Sequence, residues 1–234
     1  NNGTAEPESE DDEFARGPAV KLLHAPNPGK YGPHFIWPSN EIGHKVTLSG
    51  ADIDLPTEKP VVLETINDSP KIFYVHNFMS ENEADQLIAN AQAESNPYKL
   101  RKSTTGHKSW TEGGEESFNN KRTSDNAFDI DSEVSKRIKR RAFSLLRLPE
   151  YSEGMADGIQ VLRYNQRQAY VPHEDYFEYR TSDDHNWDPR IGGTNRFATV
   201  FLYLSDVEEG GQTVFPMVER PADGIGRGTG GGAD

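Results

Sequence analysis

The sequence predicts an α+β fold in which two amphipathic helices support a β-sandwich or jelly roll. Two segments before residue 150 carry apolar residues at helical spacing, and from residue 158 onward the chain changes to short β-rich segments. A Gly-Gly pair, which can adopt the positive φ angles of hairpin turns, also connects the last two of these segments. Helices that come first and strands that follow are typical of α+β proteins rather than of alternating βαβ units.

The first predicted helix follows a strand candidate at residues 71–75. Ser80 and, three residues later, Glu83 form the capping-box pattern that marks a helix start. Apolar residues then recur at positions i, i+3, i+4 and i+7, which indicates one buried face. These residues are Ala84, Leu87, Ile88 and Ala91.

A second helix is predicted from about Asp131 to Pro149, with one apolar face and one basic face. The apolar face holds Val134, Ile138, Ala142 and Leu145, and the basic cluster holds Lys136, Arg137, Lys139, Arg140 and Arg141. We interpret the basic cluster as a solvated helix face rather than a nucleic-acid patch, because the chain as a whole is acidic.

Three later segments have strand character. Residues 159–164 are predicted to form one strand, and the apolar run at residues 197–204 a longer strand that is buried on both faces. Residues 207–212 contain the Gly-Gly pair, which can adopt positive φ and make a hairpin connection. Residues 213–215 then form the return strand.

The 234 residues (26.2 kDa) suit one large domain with appendages. Residues 1–13 carry six acids and no cation, which predicts a disordered tail. Residues 14–69 are rich in Pro and Gly and are expected to form an extended arm with a strand or two. The main domain is expected at 70–223, and residues 224–234 form a glycine-rich flexible end.

Composition excludes several function classes. The 25 Lys and Arg against 38 Asp and Glu give a formal net charge of −13, which disfavours nucleic acid and anionic membrane surfaces as partners. The chain has no cysteine, so disulfides, thiolate metal sites and Cys nucleophiles are excluded. No apolar run approaches the length of a membrane span. A metal in this chain therefore needs His, Asp or Glu ligands.

His173 and Asp175 form the most informative short pattern. Residues two apart on an extended backbone project from one face, with Cα atoms ~6.5–7 Å apart. An imidazole and a carboxylate at that separation can converge on one ion at bonds of ~2.0–2.2 Å. They supply two of the three ligands of a 2-His-1-carboxylate Fe(II) site. Taken alone, the pattern also fits a surface strand with scattered charges.

The neighbouring motifs resemble the prolyl 4-hydroxylase catalytic domain, a member of the Fe(II)- and 2-oxoglutarate-dependent dioxygenases. The resemblance rests on residues 159–164 (IQVLRY), 168–177 (QAYVPHEDYF) and 196–216 (RFATVFLYLSDVEEGGQTVFP). It extends back through residues 122–124 and 71–88, so that it covers about 70–216. It implies a double-stranded β-helix (jelly-roll) core, supported by helices that precede it.

The resemblance also implies a set of site residues and cofactors. His173 and Asp175 match iron ligands, while Tyr164 and Thr213 match residues that hydrogen-bond 2-oxoglutarate. The family also has positions that line a groove for a proline-containing peptide, and these correspond to Arg122, Ser124, Asp157, Tyr170 and Arg196. Asp157 departs from the Glu that is more usual in the family. The implied cofactors are Fe(II), 2-oxoglutarate as cosubstrate and L-ascorbate, and the implied compartment is the secretory pathway.

The family pattern also has a distal histidine and a lysine, and this chain lacks both after Pro216. Residues 217–234 contain neither residue type, and His185 lies too close to Asp175 to match. We therefore expect a chain that ends before the jelly roll is complete and has weak or no activity by itself. The leading hypothesis is hydroxylation of peptidyl proline. The alternatives are the same chemistry on another substrate, and a non-catalytic module that binds proline-rich peptides.

Overall fold

The computed structural model describes residues 35–103, 122–148, 151, 156–176 and 196–218. The chain divides into two compact units, the first formed by residues 1–89 and 129–159 and the second by 90–128 and 160–234. The described elements are β1 (Lys45–Leu48), β2 (Val61–Asn67), β3 (Ile72–His76), α1 (Glu81–Gln92), β4 (Arg101–Lys102), β5 (Asp125–Asp129), α2 (Glu133–Leu145) and β6 (Ile159–Arg163). The predicted tail at 1–13 and the glycine-rich end at 224–234 lie outside the described residues.

The first unit contains an antiparallel sheet in the order β1-β2-β3. Strand β2 alternates as the pleat requires, because Val61, Leu63 and Thr65 are buried while the residues between them are half-buried. The strand predicted at 71–75 is β3, and the strand or two expected within 14–69 are β1 and β2. The sheet thus buries one face against the rest of this unit.

Helix α1 begins with the predicted capping box. The Ser80 N–H donates to the Glu83 carboxylate at 3.1 Å, and the Glu83 N–H donates to Ser80 Oγ at 3.2 Å. The two groups thereby satisfy donors that a helix start leaves without intrahelical partners. Leu87 and Ala91 are fully buried, which confirms the predicted apolar face.

Helix α2 starts at an N-cap that the sequence analysis did not specify. Ser132 Oγ accepts from the Ser135 N–H at 3.1 Å, so the helix begins two residues after the predicted start. Val134, Ile138 and Leu145 are buried as predicted.

The basic face of α2 is not solvated as predicted, because two of its five cations are buried. The side chain of Arg141 is 1% exposed, and the Lys139 ammonium donates to the Ile130 carbonyl at 2.7 Å. All five N–H groups of a guanidinium need acceptors when it is buried. Arg141 finds them in the backbone carbonyls of Asp54 and Phe78 and in the carboxylates of Asp54 and Glu83.

The pairing between Arg141 and Glu83 sets the charge state of both groups. Burial alone would favour the neutral carboxyl, but hydrogen bonds and the charge of Arg141 hold the pKa of Glu83 below its usual value of 4.5. The same partner holds the pKa of Arg141 above its usual value despite burial. One guanidinium therefore joins α2, the start of α1 and the loop at residue 54 through charged contacts.

The second unit contains the sheet β4-β5-β6. Arg101 pairs with Asn126 in antiparallel register, and Arg163 of β6 forms an ion pair with Asp125 of β5 at 2.7 Å. The strand predicted at 159–164 is thus confirmed as β6. Both sheets and both helices support the α+β class.

The two later strand predictions are wrong. Residues 197–204 and 213–215 have no regular secondary structure, and Phe201 and Val214 are 55% and 73% exposed. An apolar run becomes a buried strand only when other strands and side chains cover it, and no strand in the described ranges pairs with this one. The positive φ predicted for the glycine pair is confirmed, since Gly210 and Gly211 have φ of 84° and 74°, but the predicted hairpin is wrong because neither flanking segment is a strand.

No helix in the described part of the chain combines the length and apolarity that a membrane crossing requires.

Replacement of Arg141 by Met should destabilise the protein by about 3–5 kcal/mol, because the Glu83 carboxylate stays buried without its main partner. Arg137→Met is the matched control on the same helix. Its side chain is 45% exposed and contacts the same carboxylate, so we expect a loss of less than about 1 kcal/mol. Urea unfolding of both variants measures the difference. Equal losses would contradict a structural role specific to Arg141.

The free energy of unfolding should depend on pH through Glu83. Its pKa lies below 4.5 in the folded protein, so the unfolded chain binds more protons as the pH falls past 4.5. The stabilising contribution is fully present at pH 7 and is lost as the pH falls through the folded pKa. Glu83→Gln should therefore differ most from the wild type near neutral pH and converge with it under acid conditions.

Urea unfolding between pH 3 and 7 tests this dependence, with Glu133→Gln as control because the Glu133 side chain is 82% exposed. A difference between wild type and Glu83→Gln that is constant over this range would show that the charge of Glu83 does not stabilise the fold.

Candidate metal centre

The segment that carries His173 and Asp175 is held at its start by a short antiparallel pairing. The Thr123 N–H donates to the Ala169 carbonyl at 3.1 Å, and the Ala169 N–H donates to Thr123 Oγ1 at 3.0 Å. Arg122, one residue before Thr123, and Tyr170, one residue after Ala169, form an antiparallel bridge. The ligand segment therefore leaves β6 through a turn and is fixed again just before the candidate ligands.

The imidazole of His173 is fixed in one tautomer. Its Nδ1 lies 2.9 Å from the Val171 carbonyl oxygen, which can only accept. The proton of the neutral ring is therefore on Nδ1, and Nε2 keeps a free lone pair. Histidines that bind metals commonly donate their other ring N–H to a carbonyl or carboxylate in this way.

The Asp175 carboxylate faces that nitrogen. Its Oδ1 lies 3.5 Å from His173 Nε2, and the two side chains are 40% and 39% exposed. Its other oxygen, Oδ2, accepts from Thr199 Oγ1 at 2.7 Å. Arg196 Nη1 lies 3.9 Å from Oδ1. The structure thus brings together His173, Asp175 and Arg196 from the predicted set.

The pair fits two positions of a metal site. Metal bonds to imidazole and carboxylate are ~2.0–2.2 Å long, so two of them span up to ~4.0–4.4 Å and can bridge atoms 3.5 Å apart. Within the described residues, no group of three His, Asp or Glu side chains converges on one point. His173 and Asp175 could therefore hold a metal only as part of a larger coordination set.

Tyr170 covers the imidazole on one side. Its ring stacks on the His173 ring with centroids 3.7 Å apart and an interplanar angle of 23°. The Arg122 guanidinium carbon lies 5.0 Å from the centroid of the same Tyr170 ring, and Arg122 also donates to Gln160 at 3.4 Å. The predicted groove residues Arg122 and Tyr170 are thus in contact with each other and next to the candidate ligand.

The remaining predicted residues differ in their surroundings. Tyr164 is 42% exposed, and the Thr213 hydroxyl lies 3.0 Å from Tyr203 Oη. Ser124 is fully buried, with its hydroxyl 3.4 Å from Ser103 Oγ. Asp157 lies in the first unit with an exposed side chain. The assignments of these four residues to cosubstrate and substrate stay predictions.

Two polar residues that contact predicted site residues were not identified from the sequence. Thr199 hydrogen-bonds Asp175, and Tyr203 hydrogen-bonds Thr213. Both lie in the run at 197–204, which we interpreted by its apolar residues as a buried strand. A hydroxyl residue within such a run was the only indication that the sequence offered.

No protein-family model matches the chain. Curated proteins do match it, and three from Arabidopsis thaliana are representative. Probable prolyl 4-hydroxylase 8 is 38% identical over 163 residues, which is 67% of this chain and 49% of that protein. Probable prolyl 4-hydroxylase 3 is 34% identical over 157 residues, 65% of this chain and 48% of the relative. Prolyl 4-hydroxylase 5 is 34% identical over 158 residues, 66% and 47% respectively.

This chain spans about half the length of the curated relatives it matches. The aligned part nevertheless accounts for about two thirds of the chain itself at more than 30% identity, in agreement with the motifs around His173 and Asp175. Over that part, the similarity to these relatives supports a prolyl 4-hydroxylase domain in this chain.

Proposed function

We propose that this chain supplies the iron-binding part of an Fe(II)- and 2-oxoglutarate-dependent dioxygenase that converts peptidyl proline to 4-hydroxyproline. The observation that carries the proposal is the pair formed by His173 and Asp175. A ring nitrogen with a free lone pair faces a carboxylate oxygen 3.5 Å away, in a chain related to prolyl 4-hydroxylases.

His173 and Asp175 would hold the iron through Nε2 and Oδ1. When bound, Fe(II) with 2-oxoglutarate and O₂ supplies the oxidising power to hydroxylate a C–H bond, with succinate and CO₂ as coproducts, and ascorbate keeps the metal reduced. The protein contributes the orientation of the ligands. The Val171 carbonyl fixes the His173 ring, and the Thr199 hydroxyl fixes the Asp175 carboxylate.

Tyr164 and Thr213 are proposed to bind the cosubstrate. Each offers a hydroxyl group, and a hydroxyl that donates to a carboxylate makes a strong, charge-assisted hydrogen bond. The Thr213 hydroxyl is oriented by Tyr203 at 3.0 Å. The finer fold proposed for the domain at 70–223 is a jelly roll.

The exposed ring of Tyr170 is proposed to contact the target proline. Proline-rich segments pack on aromatic side chains because both surfaces are flat and already rigid. Tyr170 is 36% exposed and contacts both the Arg122 guanidinium and the His173 ring, so a proline on the exposed part of its ring would lie beside the proposed iron. Arg196, whose guanidinium lies near Asp175, is proposed to line the same groove.

A non-catalytic module that binds proline-rich peptides is the second candidate. It is favoured by one observation: the described residues bring together two metal ligands rather than three. Such a module would keep Tyr170 and Arg122 as a binding surface without turnover.

Asp175→Asn should lower peptide-dependent succinate release by at least about a hundredfold, because the amide oxygen is a weaker metal ligand than the carboxylate. The neighbouring carboxylate provides the control. Glu174 is exposed on the same segment, so Glu174→Gln should keep nearly full turnover. The assay uses the complete gene product that carries this chain, with a proline-rich peptide, Fe(II), 2-oxoglutarate and ascorbate.

Equal rates for the wild type and Asp175→Asn would contradict the assigned iron ligand. A wild-type protein that binds the peptide without releasing succinate would support the binding module instead.

Tyr170→Ala should raise the KM for the peptide about tenfold, which corresponds to the loss of ~1.4 kcal/mol of aromatic contact. Tyr170→Phe keeps the ring and should stay within about threefold of the wild type. Steady-state kinetics with the same peptide gives both values. A Phe variant as impaired as the Ala variant would show that the hydroxyl, rather than the ring, makes the contact.

A further inference from the structure

We infer that Thr199 is a positioning residue that fixes the orientation of the Asp175 carboxylate, so that one oxygen is held by its hydroxyl and the other faces the metal; this inference rests on the proposed function. Thr199 Oγ1 lies 2.7 Å from Oδ2, while Oδ1 is the oxygen that lies 3.5 Å from His173 Nε2. The two carboxylate oxygens therefore have different partners, one a hydroxyl and the other the ring nitrogen of the proposed co-ligand.

The direction of this hydrogen bond follows from the chemistry of its groups. An ionised carboxylate has no proton to give, so the Thr199 hydroxyl donates and Oδ2 accepts. A separation of 2.7 Å is typical of a hydroxyl that donates to a charged oxygen. The bond is therefore of the stronger, charge-assisted kind.

The hydrogen bond restrains the one soft torsion of the ligand. Rotation about the terminal bond of an Asp side chain is broad and roughly two-fold, so nothing within the residue distinguishes Oδ1 from Oδ2. Turning the Asp175 carboxylate away from its present position would break the contact with Thr199. Thr199 thus keeps one oxygen occupied and leaves the other directed at His173.

The other proposed ligand, His173, is likewise held by one hydrogen bond. The Val171 carbonyl occupies His173 Nδ1 and leaves Nε2 toward Asp175. Arg196 does not take the place of a metal on Oδ1, because its Nη1 lies 3.9 Å away, beyond hydrogen-bond length. Each proposed ligand is therefore held by one outer hydrogen bond, and the other donor atoms, His173 Nε2 and Asp175 Oδ1, face each other at 3.5 Å.

Thr199 is well suited to a substitution test because its side chain is exposed. Thr199→Val keeps the branched shape, removes the donor and leaves no buried cavity. Thr199→Ser keeps the donor. The matched control is Thr47→Val, at an exposed position on strand β1 of the first unit.

The test is a Mn(II) titration of the 234-residue chain, followed by paramagnetic broadening of the His173 ring resonances in NMR spectra. This measurement needs neither cosubstrate nor turnover and detects weak binding by two ligands. Thr199→Val should lower the apparent Mn(II) affinity about tenfold, as for other outer contacts of metal ligands. Thr199→Ser should restore the affinity to within about threefold of the wild type, and Thr47→Val should leave it unchanged.

The experiment distinguishes a failure of the proposed metal pair from a failure of the positioning role of Thr199. If broadening is absent in the wild type, or persists unchanged in Asp175→Asn, the proposed metal pair itself is wrong. If Asp175→Asn abolishes broadening but Thr199→Val binds Mn(II) like the wild type, the metal pair stands and the positioning role is wrong. A Ser variant no better than the Val variant also overturns that role.

Discussion

The candidate metal centre depends on the short pairing between Thr123 and Ala169. One backbone hydrogen bond of 3.1 Å and one of 3.0 Å from the Ala169 N–H to the Thr123 hydroxyl fix the chain immediately before the ligand segment, where Arg122 lies beside Tyr170. From that fixed point, Tyr170 stacks on His173, and the Val171 carbonyl accepts from Nδ1 of the same ring. The position of one proposed ligand therefore follows from contacts within the protein that involve no metal.

The two units use charge in different ways. In the first unit, Arg141 and Glu83 are buried against each other, and all donors of the guanidinium are satisfied, so this cluster stabilises the packing of α2 on α1. In the second unit, the His173 and Asp175 side chains remain about 40% exposed, and Oδ1 of the carboxylate faces the imidazole rather than a hydrogen-bond donor at contact distance. The proposed site for a metal, a cosubstrate and a peptide requires this kind of access.

The sequence predicted the features that depend on residues close together in the chain. The capping box of α1 and the His-x-Asp pair rest on spacings of two or three residues, and the structure reproduces both contacts. The burial of Arg141 could not be predicted, because its partners lie 58 and 87 residues away in the sequence. The cations next to it along the chain indicated a solvated, charged helix face. The strand prediction for residues 197–204 was wrong for a related reason. Its apolar composition indicated a buried strand, but burial depends on strands that pair with it, and none of the described strands does.

The assignment of iron to His173 and Asp175 is tested most directly by locating a metal in the complete gene product. Crystals grown without oxygen in the presence of Mn(II) and 2-oxoglutarate allow the metal to be placed by its anomalous scattering. We expect the ion within ~2.0–2.2 Å of His173 Nε2 and an Asp175 oxygen, with Thr199 still bonded to the other oxygen. A metal bound elsewhere, or through His173 Nδ1, would contradict the proposed site.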